Sequence, residues 1–216
     1  MGINVDTMDF FYESIKRVGI TSLKDVWLLE LGNQCIRNEV KRKYKFKTGK
    51  SKAYFLGLRC HHHAIDWNGE DGAIPLDLCE PIPIPKFMKA FKIITDFGDM
   101  EHVRGGAITT KGPDGWNPGE GQWQAWKNIH DMGKIGCIYL HTLPKVGSFK
   151  NHGSYHYTFE FFRRICRSNQ YRMLSLQSNQ NDPRNKTREY VFCAYVKQND
   201  REFQPEWDTF KEWLHR

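Results

Sequence analysis

The chain has 216 residues, of which 39% are hydrophobic and 26% are charged, with a net charge of +7. At about 100–200 residues per domain, this length predicts a single domain over 1–216 that buries a core without disulfides or structural metal. No run approaches the ~18 apolar residues of a membrane span, and the N-terminus lacks the pattern of a secretory signal, which excludes membrane and secreted classes at this stage.

The excess positive charge is concentrated in residues 37–52, which read RNEVKRKYKFKTGKSK. A solvated helix face and loop is the favoured interpretation, and a polyanion such as nucleic acid is the alternative partner. The six cysteines include no C-x-x-C pair, and several lie in apolar runs. Free thiols in a reducing compartment fit this pattern, so we expect a cytoplasmic protein.

The first half of the chain alternates helical and strand-like segments. An N-terminal helical segment over 1–24 contains a helix at 8–18, and the apolar run DVWLLEL at 25–31 is typical of a strand buried on both faces in a parallel sheet. The elements that follow are helices at 33–45 and 51–58 and strands at 62–67, 73–78 and 90–96.

The second half begins with a Gly- and Pro-rich stretch at 104–121, which we interpret as a lid or binding loop. The elements after it are a helix at 122–132, a strand at 135–142, a helix at 157–168, strands at 171–177 and 189–197, and a helix at 205–214 within a C-terminal segment, 203–216.

This alternation predicts an α/β fold, a Rossmann-like three-layer sandwich with a mostly parallel seven-stranded sheet. The connection at 178–188 is polar, contains Pro183 and has no helical pattern. A parallel crossover needs a dozen or more residues, normally helical, so the last two strands are predicted to be antiparallel.

Ligands of open α/β sheets bind beyond the carboxyl ends of the strands, and several predicted strands end in an acid or a glycine. Gly32, after Glu30, allows a tight turn and close backbone approach. Asp66 can accept hydrogen bonds from ribose hydroxyls, and Asp77 from an exocyclic amine. Asp96 ends the next strand, and Trp67 or Phe97 can flank a flat base. The pattern indicates a nucleoside site without a polyphosphate.

Several stretches resemble the class I S-adenosylmethionine-dependent methyltransferases. The run LLELG at 28–32 is similar to their first motif, IITDFGDMEHV at 93–103 to their fourth-strand motif, and NIHDMGKIGCIYLHTL at 128–143 to their helix, turn and fifth strand. An antiparallel last strand also belongs to that family. The chain departs from the family at Gln34, where a second glycine is usual, and it has no Asn-Pro-Pro-Tyr-like motif.

The resemblance implies S-adenosylmethionine as the cofactor and one set of binding residues. These are Glu30, Gly32, Asn33, Asp66, Trp67, Asp77, Leu78, Asp96 and Phe97. A histidine titrates near neutral pH, so His102 is the candidate catalytic residue, with a structural role at the start of a helix as the alternative.

Glu101, His141 and His152 are candidate acceptor-binding residues, and Asp99 accompanies Glu101. No metal site is predicted. The run His61–His63 is better explained as the entry to a strand, because alternation sends its side chains to opposite faces. The spacing of His141, His152 and His156 matches no zinc template.

The first hypothesis is therefore a methyltransferase acting on a small molecule or a glycan. The alternative is a catalytically inactive module of the same fold that binds nucleic acid or another polyanion through residues 37–52. A third is a sugar-nucleotide transferase. The sequence does not determine the oligomeric state.

Overall fold

A computed structural model of the chain describes residues 2–103, 119–149, 152–180 and 188–215. The strands are β1 (Trp27–Leu31), β2 (His61–Ile65), β3 (Phe91–Asp96), β4 (Gly133–Pro144), β5 (Arg172–Gln180) and β6 (Glu189–Val196). The helices are α1 (Val5–Arg17), α2 (Asn38–Tyr44), α3 (Ser51–Gly57), α4 (Gly121–Met132), α5 (Phe159–Ser168) and α6 (Trp207–Lys211). Most of the predicted lid loop, residues 104–118, lies outside the described residues.

The strands form one mixed sheet in the order β2-β1-β3-β4-β6-β5. Strands β2, β1, β3 and β4 are parallel, and β6 runs antiparallel to both β4 and β5. The antiparallel pair confirms the prediction, which rested on the short connection at 178–188. Because the chain goes from β1 to β2 on one side and returns to β3 on the other, the strand order reverses between β1 and β3. That reversal is where open α/β sheets bind ligands.

The sheet has six strands within the described residues, so the prediction of seven is not confirmed. In place of the strand expected at 73–78, Ile74 forms a single parallel bridge to Ile65. Its backbone N–H donates to Ala64, and its carbonyl accepts from Asp66. The ladder between these two segments does not continue past this bridge.

Two helices, α2 and α6, differ most from their predicted bounds. Helix α2 begins at Asn38 rather than at 33, because the segment before it is held in extended pairing. Ile36 bridges to Ile3 in this segment, and Cys35 bridges to Lys50. Helix α6 covers only Trp207–Lys211 of the expected 205–214.

Hydrophobic clusters on both faces of the sheet make the fold three-layered. Leu29 of β1 belongs to the cluster that includes Trp126 of α4 and Phe162 of α5. The adjacent Leu28 belongs to the opposite cluster, with Phe11 of α1. Neighbouring strand residues point to opposite faces, so a run that is apolar on both faces suits a strand between two helical layers. No helix in the described ranges is long and apolar enough to cross a membrane.

His130 of α4 predicts a pH dependence of stability. It is 2% exposed; its Nδ1 accepts from the Tyr171 hydroxyl and its Nε2–H donates to the Arg201 carbonyl, an arrangement of the neutral ring. Burial, then Lys197, lowers the pKa of His130 to about 4 from 6.5. As the pH falls, His130 therefore takes up a proton in the unfolded chain before it does so in the folded chain. We expect the free energy of unfolding to fall by about 3 kcal/mol between pH 6.5 and pH 4.

Urea titrations at several pH values test this expectation. In a His130→Gln variant this part of the pH slope should be absent, whereas His61→Gln, at an exposed position, should keep it. Identical pH profiles for His130→Gln and the wild type would contradict the assignment.

Candidate functional site

A cavity of about 940 Å³ opens at the carboxyl ends of β1 and β2, beside the reversal of strand order. Its lining comes from the loops after β1, β2 and β3 and from the segment at 76–80. Seven of the residues named from the sequence lie on it: Gly32, Asp66, Trp67, Asp77, Leu78, Asp99 and His102. The cavity also includes Asn68, Cys79 and Glu80, which belong to no motif identified in the sequence.

The turn after β1 requires glycine for two reasons. Gly32 has φ +76°, in the left-handed region that side chains disfavour. A Cβ at this position would lie 2.0 Å from Oδ1 of Asp99. The carboxylate of Asp99 therefore rests directly against the Gly32 backbone.

Gln34, at the family's usual second glycine, has a role of its own in this turn. Its side-chain amide donates to Oδ2 of Asp99 at 2.5 Å. The departure from the family motif therefore supplies the group that orients Asp99.

Asp66 ties the turns after β1 and β2 together at the cavity. Its Oδ2 accepts from the backbone N–H of Asn33 at 2.8 Å, and its Oδ1 from that of Asn68 at 3.2 Å. A carboxylate offers about four acceptor positions, so these two bonds leave capacity for a ligand hydroxyl. The Asn33 side chain turns outward to donate to Asp71.

Of the remaining cofactor candidates on the cavity, Asp77 and Trp67 are exposed to solvent and Leu78 is buried. Asp77 accepts from the backbone N–H of Cys79, which shapes the loop that also carries Leu78. Trp67 is 82% exposed. A flat apolar ring with this much free surface is available to cover a ligand.

The cavity lining is acidic although the chain is basic overall. Asp66, Asp77, Glu80 and Asp99 line it, and neither Lys nor Arg is among its described lining residues. Burial, then the neighbouring Asp96 and Glu101, raises the pKa of Asp99 well above its usual range. A positively charged ligand would relieve this repulsion, whereas a polyphosphate would add to it.

Four predicted cofactor residues, Glu30, Asn33, Asp96 and Phe97, are not part of the cavity lining. Glu30 is buried beneath the turn, where it accepts from the Ser51 hydroxyl at 2.5 Å and lies 3.2 Å from Nε2 of His62. Burial raises the pKa of Glu30, and the contacts to His62 and Ser51 oppose that shift. Phe97 packs into the hydrophobic cluster on the α1 side. Glu30 and Phe97 support the fold around the site.

Asp96 and His141 form a buried pair under the cavity, and neither reaches a ligand placed there. Oδ2 of Asp96 accepts from Nδ1 of His141 at 2.9 Å, and Nε2 of His141 lies 3.0 Å from the Tyr195 hydroxyl. The sequence predicted that His141 would lie at an acceptor pocket, but the structure places it in the core. The cause is strand alternation, which directs this β4 side chain toward Trp126.

Glu101, His102 and His152 meet at the edge of the cavity. Oε1 of Glu101 lies 3.7 Å from Nε2 of each histidine. The loop after β4 is held there because the backbone N–H groups of Ser154 and Tyr155 both donate to the Glu101 carbonyl. Glu101 and His102 are adjacent in sequence, and the loop after β4 brings His152 to the same place.

Comparison with known proteins places this geometry in a structural class. No family model matches the sequence, and no curated protein matches it. Among solved structures, the 1,6-didemethyltoxoflavin-N1-methyltransferase of Burkholderia thailandensis, with bound S-adenosylhomocysteine, aligns at a TM-score of 0.57 and 12% identity over 90% of this chain and 79% of its own. The N-methyltransferase NodS of Bradyrhizobium japonicum aligns at 0.52 and 10% identity over 90% of this chain and all of its own.

The chain has the class I methyltransferase fold. At this level of identity the likeness shows the fold alone. In the sheet of this chain, a single β-bridge at Ile74 is found where the sequence predicted a full strand.

Proposed function

We propose that this chain binds S-adenosylmethionine in the cavity and transfers its methyl group to a small-molecule or glycan acceptor. The observation that carries the proposal is the convergence of Gly32, Asp66, Asp77 and Asp99 on one cavity at the strand-order reversal. The 1,6-didemethyltoxoflavin-N1-methyltransferase, which has the same fold, was solved with S-adenosylhomocysteine bound.

Each part of the cofactor has a chemically matched partner in this cavity. Asp66 would accept from the ribose hydroxyls, and the Asp77–Leu78 loop would contact the adenine, with Trp67 across its face. The Asp99 carboxylate, which occupies the space beside the Gly32 backbone, would receive the α-ammonium group of the amino-acid tail. The residues present therefore fit the cofactor.

Charge separates this proposal from its alternatives. S-adenosylmethionine carries a sulfonium and an ammonium cation, and the four carboxylates of the lining suit them. A sugar nucleotide would bring a diphosphate into the same acidic cavity. The basic residues at 37–52 are partly neutralised locally, since Lys43 pairs with Asp9 and Lys50 with Asp71. These contacts weaken the polyanion-binding alternative.

The chain's contribution to the reaction is alignment and exclusion of water. The bound cofactor supplies an electrophilic methyl group on sulfur. The protein holds the cofactor in place, which converts an encounter of two molecules into a positioned transfer. We assign contact with the acceptor to His102 and His152, which are partly exposed at the edge of the cavity, with Glu101 buried behind them.

Titration calorimetry with S-adenosylmethionine and S-adenosylhomocysteine tests the proposal. We expect saturable binding of both, weakened at least about tenfold by Asp66→Ala, because ribose hydroxyls lose a charged acceptor and the Asn33 turn loses its tether. Asp208→Ala, which removes an exposed carboxylate on α6, is the matched control and should bind as the wild type does.

Two outcomes would contradict the proposal. If the folded protein gives no heat of binding with either ligand, the proposal that it binds this cofactor is wrong. Salt-dependent binding of RNA or DNA in that same sample would favour the inactive polyanion-binding module instead.

A further inference from the structure

Glu101 is a buried carboxylate whose charge has no hydrogen-bonding partner. The residue is 0% exposed, and neither Oε1 nor Oε2 has a hydrogen bond in the described part of the chain. Nε2 of His152 is also buried and without one. Buried polar groups in proteins are nearly always paired, because an unpaired one pays its full desolvation cost. The closest groups to the carboxylate are the two histidine nitrogens at 3.7 Å, so the cluster has room for a component that pairs with Glu101 at shorter range.

The three side chains are arranged around a common point. One ligand atom from each of Glu101, His102 and His152 can be chosen so that all lie within 4.8 Å of one another. Two ligands of one ion at about 2.1 Å stand roughly 3.0–3.4 Å apart in octahedral or tetrahedral geometry. Binding an ion would therefore require the three ligand atoms to move closer together.

The backbone around the cluster is built for this close approach. Gly153, next to His152, has φ +72°, and a Cβ there would lie 2.8 Å from Cγ of Glu101. The two backbone hydrogen bonds from Ser154 and Tyr155 to the Glu101 carbonyl fix the loop against the turn. Local geometry thus brings an imidazole onto a carboxylate from a segment 51 positions later in the sequence.

We propose that Glu101, His102 and His152 bind one divalent transition-metal ion, with open coordination positions facing the cavity. Two imidazoles and one carboxylate suit Zn²⁺ or Fe²⁺, whereas Mg²⁺ and Ca²⁺ prefer all-oxygen sets. The side chains of His102 and His152 are 50% and 38% exposed, and His102 lines the cavity, so the ion would be reachable by a small molecule. Three protein ligands with an open position are the pattern of a catalytic rather than a structural site.

The ion would have a role in the proposed methyl transfer, because it would hold the acceptor. That role rests on the proposed function. An open position would take a hydroxyl or thiol group of the acceptor, and the ion would lower the pKa of that group so that its proton passes to solvent. An imidazole nitrogen that binds an ion is no longer free to act as a base. The proposal therefore makes His102 a ligand rather than the proton acceptor suggested by the sequence.

Titration of the untagged, chelator-treated full chain with Co²⁺ tests the site directly. We expect a visible absorption band that saturates at one equivalent and is displaced by Zn²⁺. Glu101→Gln and His152→Gln should each weaken binding by more than the 10–100-fold typical of losing a supporting residue. His152→Gln changes a partly exposed loop residue, so it keeps the test valid should Glu101→Gln fail to fold.

The matched control is His61→Gln, because His61–His63 is the other histidine group in the described sequence and an obvious adventitious site. This variant should bind Co²⁺ as the wild type does. No band, an unchanged band in both cluster variants, or a band lost in His61→Gln would overturn the proposal. Calorimetry with S-adenosylhomocysteine on the chelator-treated chain separates the two proposals. Binding of S-adenosylhomocysteine without binding of Co²⁺ would overturn only the metal site. Binding of Co²⁺ without binding of S-adenosylhomocysteine would overturn only the cofactor proposal.

Discussion

Gly32→Ala is expected to weaken the binding of S-adenosylmethionine about a hundredfold or more, which corresponds to a loss of about 2.8 kcal/mol. The new Cβ would lie 2.0 Å from Oδ1 of Asp99 and 2.5 Å from its Oδ2, so the carboxylate must leave its position. Asp99 would then be unavailable to the ammonium group of the cofactor, and the displaced side chain would occupy cavity space. Calorimetry with the cofactor and its demethylated product measures the effect.

Gly19→Ala separates this crowding from backbone strain. Gly19 also has φ +76°, but a Cβ there meets nothing within 4 Å. Both variants should lose about 1–2 kcal/mol of stability from the left-handed conformation. Only Gly32→Ala should lose affinity. Equal cofactor affinities in the two variants would mean that the Gly32–Asp99 contact does not contribute to cofactor binding.

Asp96→Ala is expected to lower the free energy of unfolding by about 3–5 kcal/mol, because it leaves a buried partner uncompensated. His141 loses its acceptor at 2.9 Å. The backbone N–H groups of Asp99 and Met100, at 3.2 and 3.1 Å from Oδ1, lose theirs. The same substitution should therefore loosen the turn that carries Asp99 and Glu101, and reduce cofactor affinity. Urea denaturation gives the stability change.

Two further variants calibrate the Asp96 result. Asp96→Asn retains an acceptor for the backbone groups and should cost less than Asp96→Ala. Asp208→Ala breaks an exposed pair with Lys211 and should change stability by no more than about 1 kcal/mol. A loss for Asp96→Ala as small as that for Asp208→Ala would mean that the buried pair does not support the turn.

The fold was largely predictable from short stretches of sequence. The apolar run at 25–31 indicated a strand buried on both faces, and β1 does lie between two helical layers. The connection at 178–188 is too short for a crossover, which predicted the antiparallel end of the sheet. The strand expected at 73–78 is the exception, because that segment forms a single bridge at Ile74 rather than a ladder.

The candidate cofactor cavity was predictable because parallel strands end at the same edge of a sheet. A glycine or acid directly after a strand must lie at that edge, so Gly32 and Asp66 could be placed from the sequence alone. What the sequence left undecided is the direction of side chains whose neighbours come from elsewhere. Gln34, which breaks the family pattern, proves to orient Asp99.

The sequence by itself determined the layered α/β architecture, the strand ends that meet at one edge and the acidic residues placed there. Only the tertiary structure decided which of the histidines faces the interior. His141 is buried against Asp96 because alternation in β4 turns it toward α4, while His152 is held beside Glu101 by two backbone hydrogen bonds across distant segments. Local spacing encodes the first kind of information, whereas contacts between remote loops arise only when the chain has packed.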